Sequence, residues 1–274
     1  MNRGRFVVVA VLLSGCAPAP EAMKASAVVE LGAAFEPSGT GTIEGTVTWT
    51  GDLPRVEPLI LNIPGSPTRT ERNPNEPCID PKTRLVTGAL VFLDSVDPAR
   101  SHPWDLASVR VVQADGELMV YQGENPTSIG VVRQGAEVTW ESREDDVISL
   151  RARGASFFTI PFLKPGAVHR PLLKEGHVEL GSGCGLYWLR GHLFVSAHPY
   201  VCLTDKNGRF TLDRVPAGVY RVHCWLPNWE IERLERDPES RETARLQFKA
   251  GFESVRPVNV TAKDASTAPL TIGR

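Results

Sequence analysis

Short apolar runs separated by glycine-containing turns fill most of the chain after residue 40. Residues 42–49, Thr-Ile-Glu-Gly-Thr-Val-Thr-Trp, show the pattern: β-branched side chains recur at the two-residue period of a half-buried strand. Many such runs at close spacing favour packed sheets over an alternation of strands and helices, so we predict an all-β fold. The predicted strands are residues 42–49, 88–93, 109–113, 117–121, 129–132, 136–140, 147–150, 157–162, 177–180, 210–212, 220–225, 243–248 and 255–260, and the one predicted helix is residues 230–236.

The composition bounds the size and the partners of the protein. The 274 residues are 42% hydrophobic and include 24 glycines and 22 prolines, which suffices for a buried core with many turns. This length predicts one or two domains. The formal net charge is -2, and the sequence has no concentrated basic run of the kind that binds nucleic acid. We therefore expect no nucleic-acid partner.

The first sixteen residues have the layout of an export signal. Arg3 and Arg5 form a positive region, residues 6–13 are apolar, and Leu-Ser-Gly precedes Cys16. This layout resembles the bacterial lipoprotein signal, in which the cysteine is lipidated and becomes the new N-terminus. The apolar run is too short to span a bilayer. An ordinary secretory signal cut near residues 17–20 is the alternative, and either signal predicts export.

The residues after Cys16 refine the expected location. Ala17 is not the aspartate that retains lipoproteins in the inner membrane, so we expect a periplasm-facing anchor in the outer membrane of a two-membrane cell. Residues 17–40 are rich in Ala, Pro, Gly and Ser without a sustained period, which predicts a flexible tether.

Four further cysteines follow Cys16, and disulfides persist in an exported protein. Cys202 and Cys224 lie one predicted hairpin apart, so a disulfide between them is one expectation and two free thiols the other. Cys78 and Cys184 would form the second pair. Thiolate ligation of a soft metal such as copper is a further use.

Histidine and aromatic residues are concentrated between residues 184 and 229. In the predicted strand 220–225, Trp225 and His223 share the face opposite Val222 and Cys224, because side chains alternate along a strand. Outward-facing aromatic groups form contact sites, for a glycan, a partner protein or a neighbouring domain. The predicted aromatic contact face consists of Tyr187, Trp188, Tyr200, Trp225 and Trp229.

A turn-and-strand motif spans residues 204–220, Thr-Asp-x-x-Gly-x-Phe-x-Leu-x-x-Val-Pro-x-Gly-x-Tyr. It resembles the carboxypeptidase regulatory-like, transthyretin-like β module. The resemblance covers residues 191–274 and implies a β-sandwich. It implies no activity, and nothing in this stretch resembles a peptidase active site.

A second resemblance rests on residues 131–140, Val-Val-Arg-Gln-Gly-Ala-Glu-Val-Thr-Trp, followed by an acidic turn and later by Cys184. These features are similar to the cupredoxins and imply a Greek-key sandwich over residues 105–190. Residues 41–104 would precede it as an N-terminal β segment with a proline-rich loop.

Copper-binding cupredoxins carry one histidine after the middle strand, then a cysteine, a second histidine and often a methionine in the last loop. This sequence has no histidine in residues 141–154, and Tyr187 and Leu189 lie near the positions of the later ligands. The resemblance therefore implies a sandwich without type 1 copper. A rearranged copper site is the alternative, with candidate ligands Cys184, His192, His198, Cys202 and His223.

The expected function follows from these features. The sequence lacks Gly-x-Ser-x-Gly, His-Glu-x-x-His, P-loop and dinucleotide motifs, so we expect no catalytic role. We predict a cell-envelope binding or scaffold lipoprotein, held at the membrane by its lipid and contacting another envelope protein or a glycan, with no cofactor. A periplasmic copper-binding or electron-transfer protein is the alternative, and a thiol-dependent enzyme is the third hypothesis.

Overall fold

The computed structural model describes residues 34–61, 67–236, 238–239 and 243–274. Within these ranges the regular structure is β-strand apart from two 3-10 turns, Pro37–Gly39 and Pro98–Arg100. No helix in the described ranges has the length and apolar character needed to cross a membrane. The all-β prediction is confirmed. The predicted signal, its Cys16 and most of the predicted tether lie outside the described residues.

Twenty-four strands lie in the described ranges. The first twelve are β1 (Thr40–Thr50), β2 (Leu59–Leu61), β3 (Arg69–Glu71), β4 (Cys78–Ile79), β5 (Val86–Thr87), β6 (Leu90–Asp94), β7 (Val109–Ala114), β8 (Glu117–Gln122), β9 (Asn125–Thr127), β10 (Ile129–Arg133), β11 (Glu137–Ser142) and β12 (Ile148–Gly154). The remainder are β13 (Phe158–Phe162), β14 (Gly166–Pro171), β15 (Gly176–Ser182), β16 (Arg190–Ser196), β17 (Val201–Leu203), β18 (Arg209–Pro216), β19 (Gly218–Leu226), β20 (Ile231–Arg236), β21 (Thr243–Phe248), β22 (Phe252–Val260), β23 (Ala265–Thr267) and β24 (Leu270–Gly273).

The first sandwich combines strands from the two ends of the described chain. One sheet has the order β18-β1-β23, with β24 also paired to β1, and the other has the order β17-β6-β19-β22. Strand β1 pairs antiparallel with β18, and β6 pairs antiparallel with β19. The segment 41–104, expected to precede the two sandwiches, therefore supplies strands to the sheets that the last third of the chain builds.

The core of the first sandwich follows the alternation expected from the sequence. Val222 and Cys224 on β19 are buried between the two sheets, as their shared face predicts. The rings of Trp49, Trp229 and Phe252 pack on one another, with centroids 5.2 to 5.5 Å apart. These contacts join β1 to the turn after β19 and to β22.

The second sandwich is built from one continuous stretch, residues 109–196. Its sheets have the orders β10-β16-β15-β12-β13 and β14-β11-β7-β8-β9, and they enclose an apolar core around Trp140. Strand β16 pairs with both β10 and β15. Strand β16 thus joins the second sandwich although it follows the boundary expected at residue 190, and its apolar run 193–195 does not by itself show which sandwich it joins.

The two sandwiches pack through the remaining faces of two neighbouring sheets. Leu90 and Phe92 on β6 point away from the first core and meet Ile129, Val131 and Phe194 of the second sandwich. The rings of Phe92 and Phe194 lie 4.5 Å apart. Four sheets are thus stacked with three apolar layers between them.

The predicted helix at residues 230–236 is wrong. This segment forms β20, which pairs antiparallel with β21 in a two-stranded sheet. Ile231 and Leu234 are spaced three residues apart, as on one helix face, but backbone pairing with residues 243–248 decides the structure.

Tyr200 closes one end of the first sandwich, and its hydroxyl group gives a test of that packing. The ring is 1% exposed, and the hydroxyl donates to the Arg214 carbonyl at 2.9 Å and accepts from the His102 N–H at 3.2 Å. Tyr200→Phe leaves both backbone groups without this partner, so we expect the free energy of unfolding to fall by about 1–3 kcal/mol. Urea denaturation measures the change.

Tyr121→Phe is the matched control for that experiment. The Tyr121 hydroxyl donates to the Met119 thioether at 3.3 Å, in a partly exposed position. Its loss should change the unfolding free energy by less than about 0.5 kcal/mol. Equal effects of the two substitutions would contradict the role assigned to Tyr200.

Candidate functional site

A loop before β4 joins the two sandwiches through two buried asparagines. Asn73 donates its side-chain amide to the Trp229 carbonyl at 3.0 Å, and Asn75 donates to the Asn228 carbonyl at 2.8 Å. The backbone N–H of Asn75 also donates to the Asn73 side chain at 3.0 Å. Both side chains are almost fully buried, so the loop is held against the end of β19.

Asn75 also fixes the protonation of a histidine on the second sandwich. Its Oδ1 lies 2.9 Å from His192 Nε2. Because the Asn75 amide nitrogen already donates to Asn228, Oδ1 is the acceptor and His192 Nε2 carries the hydrogen. Burial, together with the nearby His177 and Arg190, lowers the pKa of His192 to about 3. His192 is therefore neutral at pH 7.

His177 lies in the same layer between the sandwiches. Its ring is 3.9 Å from Trp225 and 5.1 Å from Phe194, measured between centroids. Burial lowers the pKa of His177 to about 4, and its Nε2 is buried with no hydrogen-bond partner among the described residues. A neutral, apolar-packed imidazole of this kind is a poor proton donor near neutral pH.

Cavities open along the line where the sandwiches meet. One is a cleft of about 510 Å³, which we call the junction cleft. A second cavity of about 210 Å³ shares Asn75 and His192 with it, and a third of about 470 Å³ lies on the other side of His177. Residues that line the junction cleft include Asn73, Asn75, Cys78, Met119, Ile129 and His192.

The predicted aromatic contact face does not form. Tyr200 and Trp229 are buried in the first sandwich, and Trp225 packs on His177 at the junction. Tyr187 is buried beside Leu59, Leu61 and Leu246, and Trp188 packs on Tyr187 at the edge of that cluster. Strand alternation correctly turns Trp225 away from the first core, but the second sandwich covers that face.

The candidate copper ligands are dispersed. Cys202 packs against the first core, and His223 lies on the opposite face of the same sheet, stacked on Phe92 at 5.0 Å. Cys184 is exposed in the turn after β15, and His198 is buried beside Tyr200. In the part of the chain that the structure describes, no group of three or more His, Cys, Asp or Glu side chains could hold a metal ion. These residues do not fit the predicted site.

Neither of the two disulfides forms, and for Cys202 and Cys224 the structure has the alternative expectation, two free thiols. Cys78, Cys184, Cys202 and Cys224 are all free thiols. Cys202 and Cys224 both pair across from Val91, from opposite sides of β6, so two strand spacings of about 4.8 Å separate their backbones. A disulfide needs Cα atoms within about 7 Å. Burial raises the pKa of each of these two thiols to about 12, which keeps them protonated.

Comparisons with known proteins identify no family. No protein-family model and no curated protein matches the chain. Similar solved structures include an oxidised amicyanin variant, at 17% identity over 39% of this chain and 98% of that chain, with a TM-score of 0.26. A purple cupredoxin from Nitrosopumilus maritimus matches at 14% identity over 33% of this chain and 99% of that chain, with a TM-score of 0.25. These similarities assign no ligand and no activity to this chain.

Sequence reasoning missed the two residues that shape the junction, Asn75 and His177. Asn75 lies in a proline-rich loop that offers no periodicity, and His177 was assigned only to a strand. The Asn-Pro-Asn run at residues 73–75 is the one local signal, since asparagine side chains often bond to neighbouring backbone.

Neutral histidines at the junction predict a loss of stability in acid. An unfolded histidine titrates near pH 6.5, whereas the folded pKa values of His177 and His192 are about 4 and about 3. Below pH 6.5 the unfolded chain therefore binds protons that the folded chain does not, and stability falls until the folded groups titrate. We expect each histidine to lower the free energy of unfolding by about 2 kcal/mol when the pH falls from 7 to 5.

His177→Gln tests this linkage through the difference in unfolding free energy between the two pH values. That difference should shrink by about 2 kcal/mol relative to the wild type. His169→Gln, at an exposed position of β14, should leave it unchanged. An undiminished acid loss in His177→Gln would contradict the assignment.

Cysteine reactivity should divide into two classes. Cys78 and Cys184 are exposed, while Cys202 and Cys224 are protonated and packed against the first core. Alkylation followed by peptide mass spectrometry should label the first pair in the native protein and the second pair on the order of 100-fold more slowly. Denaturation should equalise the rates. Rapid native labelling of Cys224 would contradict the packing.

Proposed function

We propose that this chain is a cell-envelope binding protein that holds a small organic ligand in the junction cleft. The observation that carries the proposal is a cleft of about 510 Å³ with walls from both sandwiches, in the size range of small-molecule sites. Apolar groups such as Met119 and Ile129 line it together with the buried amides of Asn73 and Asn75. This mixture suits a partly apolar ligand with a few polar groups.

The proposed location rests on the N-terminal sequence. Residues 1–16 have the layout of a lipoprotein signal, so we propose export, lipidation at Cys16 and anchoring in the outer membrane with the sandwiches facing the periplasm. An envelope protein or glycan as an additional partner belongs to the same proposal.

Binding without catalysis is supported by the chemistry of the junction. Burial keeps His177 and His192 neutral and makes them weak bases. The thiols of Cys202 and Cys224 are protonated and lie in the first core, away from the cleft. These four side chains therefore supply the junction with no activated nucleophile.

Native mass spectrometry tests the proposal directly. Protein purified from the cell envelope, or incubated with a small-molecule extract of it, should carry a noncovalent adduct. Ser128→Trp places a large side chain at the exposed rim of the cleft and should remove most of the adduct. Thr211→Trp, on an exposed position of β18, is the matched control and should retain it. Equal adducts in both variants, or none in the wild type, would overturn the proposal.

A copper-binding role is the second candidate, and one observation favours it. Cys78, Met119 and His192, a thiol, a thioether and an imidazole, line the same junction cleft. Sulfur and imidazole donors suit Cu(I). His192 also donates Nε2–H to Asn75, the kind of contact that orients metal-binding histidines. These three donors would replace the set proposed from the sequence.

Competition against a chromophoric Cu(I) chelator distinguishes the two donor sets. Cys78→Ser should weaken Cu(I) binding at least about tenfold, which is 1.4 kcal/mol, while Cys184→Ser should leave it unchanged. The opposite result would restore the site built on Cys184. Failure of the wild type to compete for Cu(I) would remove the copper candidate and leave organic-ligand binding intact.

A further inference from the structure

Four arginines converge on the face of the second sandwich that points away from its core. Antiparallel register places Arg151 opposite Gly181, and Gly181 opposite Arg190, in one row across β12, β15 and β16. Arg153 stands opposite Glu179 in the next row. Because Leu150, Ala152 and Leu180 are buried in the core, these residues point the other way. Arg245 approaches from β21, and all four arginines line one cavity.

Among the described residues, these four arginines outnumber the acidic groups near them. Glu179 forms an ion pair with Arg190 at 2.5 Å, and Glu235 lies 3.9 Å from Arg245. Arg153 Nε is buried and has no hydrogen-bond partner among the described residues. Burial lowers the pKa of Arg153, and the charges of Arg245 and Arg151 lower it further, while Glu179 and Glu235 offset part of this effect. This self-repulsion is what a bound anion would relieve.

Gly181 keeps the space between the arginines open. It lies at the centre of the row, and a Cβ at this position would be 3.5 Å from Arg190 Nη1, so any larger side chain would fill the space. The cavity has a volume of about 40 Å³. One water needs about 10–15 Å³ on this scale, so the cavity admits a group of a few heavy atoms and no more.

From this arrangement we infer that the cavity between Arg151, Arg153, Arg190 and Arg245 is a binding site for a small tetrahedral oxyanion, phosphate or sulfate. Guanidinium groups present planar pairs of N–H donors that match two oxygens of such an anion. Arg190 is already held in place, because its Nε donates to the Tyr187 carbonyl at 3.2 Å and its Nη2 to the Leu246 carbonyl. The cavity shares Arg190 with the wall of the junction cleft, but Arg151, Arg153 and Arg245 line the cavity alone, and the inference does not depend on the function proposed for the cleft.

Thermal unfolding and titration calorimetry with inorganic phosphate, and separately with sulfate, test this site. At constant ionic strength set with chloride, at least one of the two anions should raise the unfolding temperature of the wild type. Its affinity should fall at least tenfold in Arg153→Gln and in Arg151→Gln. Arg209→Gln removes one charge at an exposed position of β18 and should bind the anion like the wild type.

The anion-free stability separates a binding role from a structural one. Removing one of several repelling charges should leave Arg153→Gln as stable as the wild type without the anion, or more stable, while its response to the anion is lost. A variant that loses stability but keeps the wild-type response would overturn the inference. So would equal responses of Arg153→Gln and Arg209→Gln, or no response of the wild type to either anion.

Discussion

Burial of both faces of two sheets is the constraint on which the structure depends. Leu90 and Val91 are consecutive on β6, point to opposite faces and are each 0% exposed. A strand can hide both only if apolar layers cover its sheet on each side. The second sandwich supplies one of those layers, with Phe194 against Phe92. The polar groups in that layer must then be neutral or hydrogen-bonded, which accounts for the state of His192 and for its bond to Asn75.

Local structure was predictable from the sequence wherever side-chain alternation was strong. It was not predictable where pairing with a distant strand determines the structure. The face assignments along β19 were correct because they depend only on the two-residue period. Strand β14 went unrecognised because all six of its residues are exposed and no apolar alternation marks it. The pairing of Cys202 with Cys224 failed for a similar reason: adjacency along the sequence does not reveal that β6 lies between them.

Site prediction reached the right residue types but not their surroundings. The sequence shows that the side chains of Trp225 and His223 point away from the first core. It does not show that a second sandwich covers them. A cleft between sandwiches is built by residues distant in sequence, such as Asn75 and His192. No local sequence pattern predicts that such residues come into contact. The arginine cavity could not be predicted from a local pattern either, because Arg151, Gly181 and Arg190 form one row only through the register of three strands.

The discontinuous first sandwich has a consequence for the order of folding during synthesis. Strands β1 and β6 are made early, but their partners β17, β18 and β19 follow only after residues 95–200. The second sandwich has all its strands in residues 109–196, so it can fold before the first sandwich is complete. Until then, the apolar strands β1 and β6 are unpaired. During that interval the early strands are open to wrong pairing or to a chaperone, and the finished second sandwich offers them a template surface before their own partners arrive.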